Sequence, residues 1–339
     1  MLKLIRDKNN PILTPSLENK WESGAVFNPC VIEWNKKFHM LYRAIPSLKR
    51  EDGSMDKSKF KSYIGYAISE DGIHFQKRKE PFMRPDQEYD CWGCEDPRII
   101  KFGKEFYIFY TAVDAQPYEQ KVIPKVALAQ TRDFKEVKKY GIAIPPQIPT
   151  KAGALFPQRI NGKIGLLFTA YPDSPKSSIC ITYFEDISQL IKPPEDYWRS
   201  YFSSLSRHIV LKPSKDSFVN YEVGAPPIKT QYGWLLIFCK IYWGRNWKKE
   251  QRKWTISAAL LELKNPQKIL GITNEPILEP EKEYEIEGLV PNVTFPSGAI
   301  IKNETLYVYY GAGDQVISVA TANTVSYTHL RAHETSLHL

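Results

Sequence analysis

The chain has 339 residues, 42% of them hydrophobic, enough to bury a sizeable core. A formal net charge of +8 comes from basic residues scattered along the chain except for the run at 248–253, read as a solvated face, so neither a nucleic-acid nor a membrane partner is expected. Five cysteines, an odd number, argue against a disulfide framework, and no h-region or apolar stretch of about 18 residues appears, so a soluble cytoplasmic protein is expected.

In chain order, four kinds of short segment recur about every 60–70 residues, the mark of a repeat architecture. Stretches at 27–32, 94–100, 155–160, 225–229 and 294–300 each carry a proline near the start, suited to the beginning of a strand. Aromatic, alternating stretches follow at 38–44, 106–112, 164–170, 234–240 and 306–312. A third apolar series runs at 63–69, 126–131, 178–183, 256–261 and 316–320. Proline-bounded runs at 10–15, 80–85, 141–146, 208–213 and 275–280 read as outer edge strands. Four strands per unit, five times over, predict an all-β five-bladed β-propeller, closed when the N-terminal run completes the last blade. Longer connections at 186–207 and 243–254 are candidates for shaping a site or for surface excursions. The propeller domain is expected to span 1–324; the tail at 325–339 continues no blade and reads as translated adapter sequence. Cys91 and Cys94 form a lone CxxC with no second pair, which argues against a zinc site.

Equivalent positions of the repeats meet around the axis. The residues before the recurring prolines are Asn28, Asp96, Phe156, Pro226 and Phe295, and those ending the second strands are Arg43, Thr111, Thr169, Cys239 and Gly311. Asn28, Arg43 and Asp96 are therefore expected to converge, with Asp314 and Glu222 near them and Phe156 and Phe295 as apolar platforms. Glu95 and Arg98 flank Asp96 and join the predicted substrate-binding set, although a local ion pair or turn cap explains Asp96 and Arg98 equally well. Carboxylates, amide, guanidinium and rings in one funnel suit a sugar. Paired carboxylates further suit glycosyl transfer.

The run Gly93-Cys94-Glu95-Asp96-Pro97-Arg98 resembles the signature of glycoside hydrolase family 130, the β-mannoside phosphorylases and mannosidases with a five-bladed propeller. The resemblance extends over about residues 8–324, through the motifs at 10–13, 27–29, 41–44, 154–157, 233–236 and 310–314. It implies that Asp96 is the general acid, acting through a hydroxyl of bound mannose, and that Asn28, Arg43 and Asp314 hold that mannose. The family's phosphorylases tend to carry an arginine where this chain has Thr169 and a histidine near Cys239; losing both weakens a dianion site, with Lys151 and Lys240 as partial replacements. The expectation is an inverting hydrolase of β-mannosides, exo-acting on β-1,2 linkages, with a water activated by Glu222, or else by Glu285 or Glu287. Such an acid and base would stand roughly 6.5–9.5 Å apart. A phosphorylase releasing mannose 1-phosphate is the alternative, with inorganic phosphate as co-substrate, and a non-catalytic sugar-binding propeller is the alternative from another class. A furanosidase-type propeller fits less well, because Asn28 stands where such enzymes typically place a catalytic aspartate. No organic cofactor or metal is expected, the partner is a small oligosaccharide, and a homo-oligomer is left open.

Overall fold

A computed structural model describes residues 2–50, 52–117, 119, 122–214, 217–244 and 248–324, with the side chains of 249 and 250 left aside. The tail at 325–339 lies outside the described residues. The strands form separate antiparallel sheets that constitute the five blades. Blade 1 runs Ala25–Trp34, Lys37–Ile45, Tyr63–Ser69 and Gln76–Lys77, and blade 2 runs Gly93–Phe102, Glu105–Val113, Lys125–Thr131 and Lys138–Ile144. Thr150–Leu155, Ile164–Ala170, Ser178–Phe184 and Ile209–Leu211 make blade 3. Blade 4 contains Val219–Val223, Trp234–Gly244, Lys248–Leu261 and Ile269–Ile272, with Ile228–Lys229 also on its second strand. Blade 5 is Thr294–Lys302, Thr305–Ala312 and Val316–Asn323, completed by the N-terminal Ile5–Arg6. Each neighbouring pair of blades shares an apolar core, for example Leu41, Ile64, Ile99 and Ile108 between blades 1 and 2, or Leu235, Ile256, Val308 and Ala320 between blades 4 and 5. Coverage on both faces is why a middle strand such as Ile164–Ala170, read from its sequence as half-buried and alternating, is buried throughout.

The N-terminus closes the ring as predicted, but with a different segment. Ile5 and Arg6 pair with Thr321 and Ala320, whereas the run at 10–15 contributes a single bridge, Leu13 to Ile317. Blades 1 and 4 repeat this, with Met83 bridging Ile64 and Leu278 bridging Ile256. Those three runs have proline at both ends, Pro11 and Pro15, Pro81 and Pro85, Pro276 and Pro280. Missing donors at both ends confine the pairing to one bridge, where two neighbouring N–H groups, such as those of Phe82 and Met83, share the single carbonyl of Ile64. Where proline stands at one end only, in blades 2 and 3, the outer strand is continuous through Ile144 and Leu211. The connection at 186–207 folds into short helices, Ile187–Ile191 and Tyr197–Ser203, whose Trp198 and Tyr201 pack on Phe168. It covers the core between blades 2 and 3.

Three blades carry the same internal clip. A carboxylate on the approach to the inner strand accepts a tyrosine hydroxyl from the second strand and pairs with a cation on the outer strand. In blade 1, Glu22 meets Tyr42 at 2.8 Å and Lys77 at 2.9 Å. In blade 2, Asp90 meets Tyr110 at 2.9 Å and Lys139 at 2.7 Å. In blade 5, Glu285 meets Tyr310 at 2.8 Å and takes the Arg6 fork at 2.8 Å on both oxygens. Phe168 and Phe238 replace the tyrosine in blades 3 and 4.

Candidate active site

The inner strands bulge at the axis. Phe27 pairs with Arg43 but Cys30 with Leu41; Glu95 pairs with Thr111 but Arg98 with Phe109; Lys151 pairs with Thr169 but Ala154 with Leu167. One extra residue per inner strand bends the strand and re-aims a side chain. The first bulged residue is left-handed in each case: Asn28 at φ 48°, Asp96 at φ 51° and Ala152 at φ 55°. Asn and Asp adopt that region at low cost, which is why they suit the mouth. Blade 4 pairs Glu222 with Cys239, and blade 5 pairs Phe295 with Gly311.

The ring facing the second-strand ends is therefore Phe27, Glu95, Lys151, Glu222 and Phe295. The predicted alignment on prolines is corrected in three blades: the register shifts upstream of the proline in blade 3, between Lys151 and Ala154, the inner strand of blade 4 is interrupted between Val223 and Ile228, and in blade 5 the shift follows the proline, between Pro296 and Gly298, so that Phe295 matches Glu95 and not Asp96. Phe156 is consequently no platform: it is fully buried between blades 3 and 4 with its ring 5.0 Å from that of Trp234. Phe295 is only 8% exposed and lies beneath the Arg98 guanidinium, so it has little open face for a sugar.

Asn28, Arg43 and Asp96 do converge. The Asn28 side-chain amide donates to Asp96 Oδ1 at 2.8 Å, and Arg43 reaches the same oxygen at 3.4 Å. Arg43 also donates to Glu95 Oε1 at 2.6 Å, an oxygen shared with the Ser62 hydroxyl at 2.8 Å. Gly311 makes this possible: a Cβ there would lie 2.6 Å from Asn28 Oδ1. Burial works against ionisation of Asp96, but Arg43, Arg98 and the Asn28 amide outweigh it and hold the carboxyl below its ordinary value. Burial pushes the adjacent Glu95 carboxyl up, against the pull of Arg43.

Glu222 and Asp314 stand apart from this network. Among the described residues, no hydrogen-bond donor reaches either carboxylate. Burial pushes Glu222 up to about 7, the Asp173 charge adding to the shift and Lys151 opposing it. Asp314 also rises to about 7 through burial, against Arg43 and with Asp96 adding to the rise. The Lys151 ammonium stays charged, because Asp173, Glu222 and Asp96 outweigh its burial and raise it. Arg43, Glu95, Thr111, Lys151 and Asp173 line a cavity of about 690 Å³ with an apolar rim that includes Phe60 and Ile123.

The other residues weighed from the sequence lie outside this network. Arg98 is 2% exposed and donates to the carbonyls of Asp96, Val223 and Gly224, tying blade 2 to blade 4 beneath the site. Glu285 is fully buried, and beyond Arg6 and Tyr310 it accepts the backbone N–H groups of Glu281 and Lys282, so it has no capacity left to take a proton from water. Glu287, the remaining candidate base, is exposed beside that clip. Lys240 points outward, onto the carbonyl of Asn274 and the ring of Tyr242. Thr169 and Cys239 are fully buried, and the Thr169 hydroxyl accepts from the backbone of Val223 at 2.9 Å.

Sequence reasoning missed Ser62, Asp173 and Arg252. Arg252 falls within the run read as a solvated face, yet it lies between the rings of Trp243 and Trp254 and pairs with Asp173 at 3.4 Å. Among the described residues no group of three or more His, Cys, Asp or Glu could hold a metal ion, and Cys91 and Cys94 hydrogen-bond to separate groups.

Comparison with known proteins agrees with this architecture. The glycoside hydrolase 130 family model, described as β-1,4-mannooligosaccharide phosphorylase, matches residues 4–327. A 1,2-β-oligomannan phosphorylase of Thermoanaerobacter sp. (strain X514) is 35% identical over 327 residues, covering 94% of this chain and 97% of its own. A β-1,2-mannobiose phosphorylase of the same strain is 36% identical over 323 residues, with the same coverage. Among solved structures, the β-1,2-mannobiose phosphorylase of Listeria innocua in complex with β-1,2-mannobiose has the same fold, with a TM-score of 0.77 at 24% identity over 97% of this chain and 99% of that one.

Proposed function

The chain belongs to glycoside hydrolase family 130, and from that premise we propose that it is an inverting phosphorylase of β-1,2-linked mannosides. This reverses the weight given to Thr169 and Cys239: relatives 35% and 36% identical over nearly the whole chain are phosphorylases, so the hydrolase expected from the sequence becomes the second reading. The observation that carries the proposal is the convergence of Asn28, Arg43 and Asp96 beside a lysine, Lys151, that remains charged at the cavity wall.

Asn28, Arg43 and Asp314 hold the terminal mannose. A phosphate oxygen attacks its anomeric carbon while the bond to the glycosidic oxygen breaks, and the proton of Asp96 passes to that leaving oxygen. Phosphate is already an anion, so no general base is required. Arg43, Arg98, the Asn28 amide and, in smaller part, Lys151 hold the Asp96 carboxyl below its ordinary value. A phosphate arriving at Lys151 cancels that pull and pushes Asp96 towards its protonated, acid form. Glu222, rising to about 7, is largely neutral below that pH and so tolerates an anion beside it. The test is turnover of β-1,2-mannobiose with and without inorganic phosphate, resolving mannose 1-phosphate from mannose. Equimolar mannose 1-phosphate and mannose, formed only with phosphate, is the expected result; mannose alone at a phosphate-independent rate would restore the hydrolase reading favoured by buried Thr169 and Cys239.

A further inference from the structure

The cation set at the mouth is arranged around one carboxylate. Asp173 Oδ2 lies 3.5 Å from Lys151 Nζ, and Oδ1 lies 3.4 Å from Arg252 Nη1. Well-formed charge-assisted hydrogen bonds are about 2.7–2.9 Å long. Asp173 thus spans a gap too wide for it, directing one oxygen to each cation without closing on either. A tetrahedral anion, larger and more highly charged, fits such a gap better. We propose that Asp173 is a resident counter-ion which holds the place of the attacking phosphate between Lys151 and Arg252, and that it sets how strongly the protein binds that co-substrate. The inference rests on the phosphorylase reading.

Several features support this role. Asp173 and Lys151 both line the cavity that contains Arg43 and Glu95. Lys151 and Arg252 each act on the Asp314 carboxyl, so both cations lie within electrostatic reach of the sugar-binding side chains. Arg252 is held with its guanidinium carbon 4.9 Å from the Trp243 ring centroid and 4.5 Å from that of Trp254, which fixes its planar fork. It arrives on the extended second and third strands of blade 4, Trp234–Gly244 and Lys248–Leu261. The turn bearing Asp173 is itself pinned, with the Ser174 hydroxyl on the Tyr171 carbonyl at 2.7 Å and the Ser177 hydroxyl on the Tyr221 carbonyl at 2.8 Å. Only the half-exposed Asp173 side chain has to swing away, and two long ion pairs at a wet surface oppose that weakly.

The experiment is calorimetric titration of inorganic phosphate into the full chain without mannoside, together with initial rates of phosphorolysis. Asp173→Asn and Asp173→Ala should each tighten phosphate binding and lower KM for phosphate by about 3- to 10-fold, with KM for the mannoside essentially unmoved. Arg252→Gln should weaken phosphate binding by a comparable factor. If the wild type forms mannose 1-phosphate but both Asp173 variants bind phosphate no more tightly, the inference fails while the phosphorylase reading stands. If the wild type neither binds phosphate nor forms mannose 1-phosphate, both fail.

Discussion

Glu285 and Glu222 are both buried glutamates with a cation near them, and they have opposite fates. Glu285 receives a guanidinium fork, a tyrosine hydroxyl and two backbone N–H groups, and although burial works against its charge these donors hold the carboxyl below its ordinary value. Glu222 has Lys151 within electrostatic reach but no hydrogen-bond donor among the described residues, and burial pushes it up to about 7. Burial and a nearby cation therefore do not identify a functional carboxylate. Unfilled lone pairs do, because a group whose charge is not fully compensated can still exchange protons or bind a ligand. The clips of blades 1, 2 and 5 belong to the first kind; Glu222 and Asp314 belong to the second, and Asp96 lies between, paired yet at the cavity.

The contrast is broken most severely at Asp96. Asp96→Asn keeps the size of the side chain and removes the transferable proton, so turnover of β-1,2-mannobiose should fall about 10²- to 10⁴-fold while the melting temperature changes little. Retention of near-normal turnover would remove Asp96 from the chemistry. Glu285→Gln should do the converse. It leaves the part-buried Arg6 guanidinium with only Glu281 as a charged partner, a loss that appears as a lower melting temperature, with activity per folded molecule unchanged. A loss of activity without a loss of stability would return Glu285 to the list of bases.

Much of this contrast is legible in the sequence. The five blades, their closure by the N-terminus and the convergence of Asn28, Arg43 and Asp96 follow from period and motif. Phe156 was misplaced because proline marks the bulge only where it directly follows the bulged residue; alignment on the second-strand ends, Arg43 to Gly311, places Lys151 and Glu222 correctly. Glu285 also carried a signal. Trp21-Glu22, Tyr89-Asp90 and Tyr284-Glu285 repeat an aromatic followed by an acid just before three inner strands, which points to one shared structural role. Arg252 and Asp173 are not legible in the sequence, because their pairing joins a strand of blade 4 to the turn after the second strand of blade 3, and no local pattern encodes a contact between blades.

The smallest effect sharpens the comparison through its sign. Glu222 has an ordinary value of 4.5 and is raised to about 7 in the folded chain. The folded state therefore holds its proton over a window in which the unfolded state has lost it, and stability falls as pH rises from about 4.5 to about 7. Glu222→Gln removes that penalty. The variant should melt with the wild type near pH 4.5 and above it at pH 8, by an amount on the order of 1–3 kcal/mol. Glu285 runs the other way: its carboxyl is depressed, so its stabilisation is complete above the ordinary carboxylate range and lost on acidification. Melting curves of the two glutamine variants against pH should diverge from the wild type in opposite directions at pH 8, Glu222→Gln upward and Glu285→Gln downward; the upward deviation should vanish between about pH 7 and pH 4.5, and the downward one only on further acidification. A Glu222→Gln difference that is flat with pH would mean that Glu222 is compensated as fully as Glu285, and the distinction between clip and site would then rest on Asp96 and Asp314 alone.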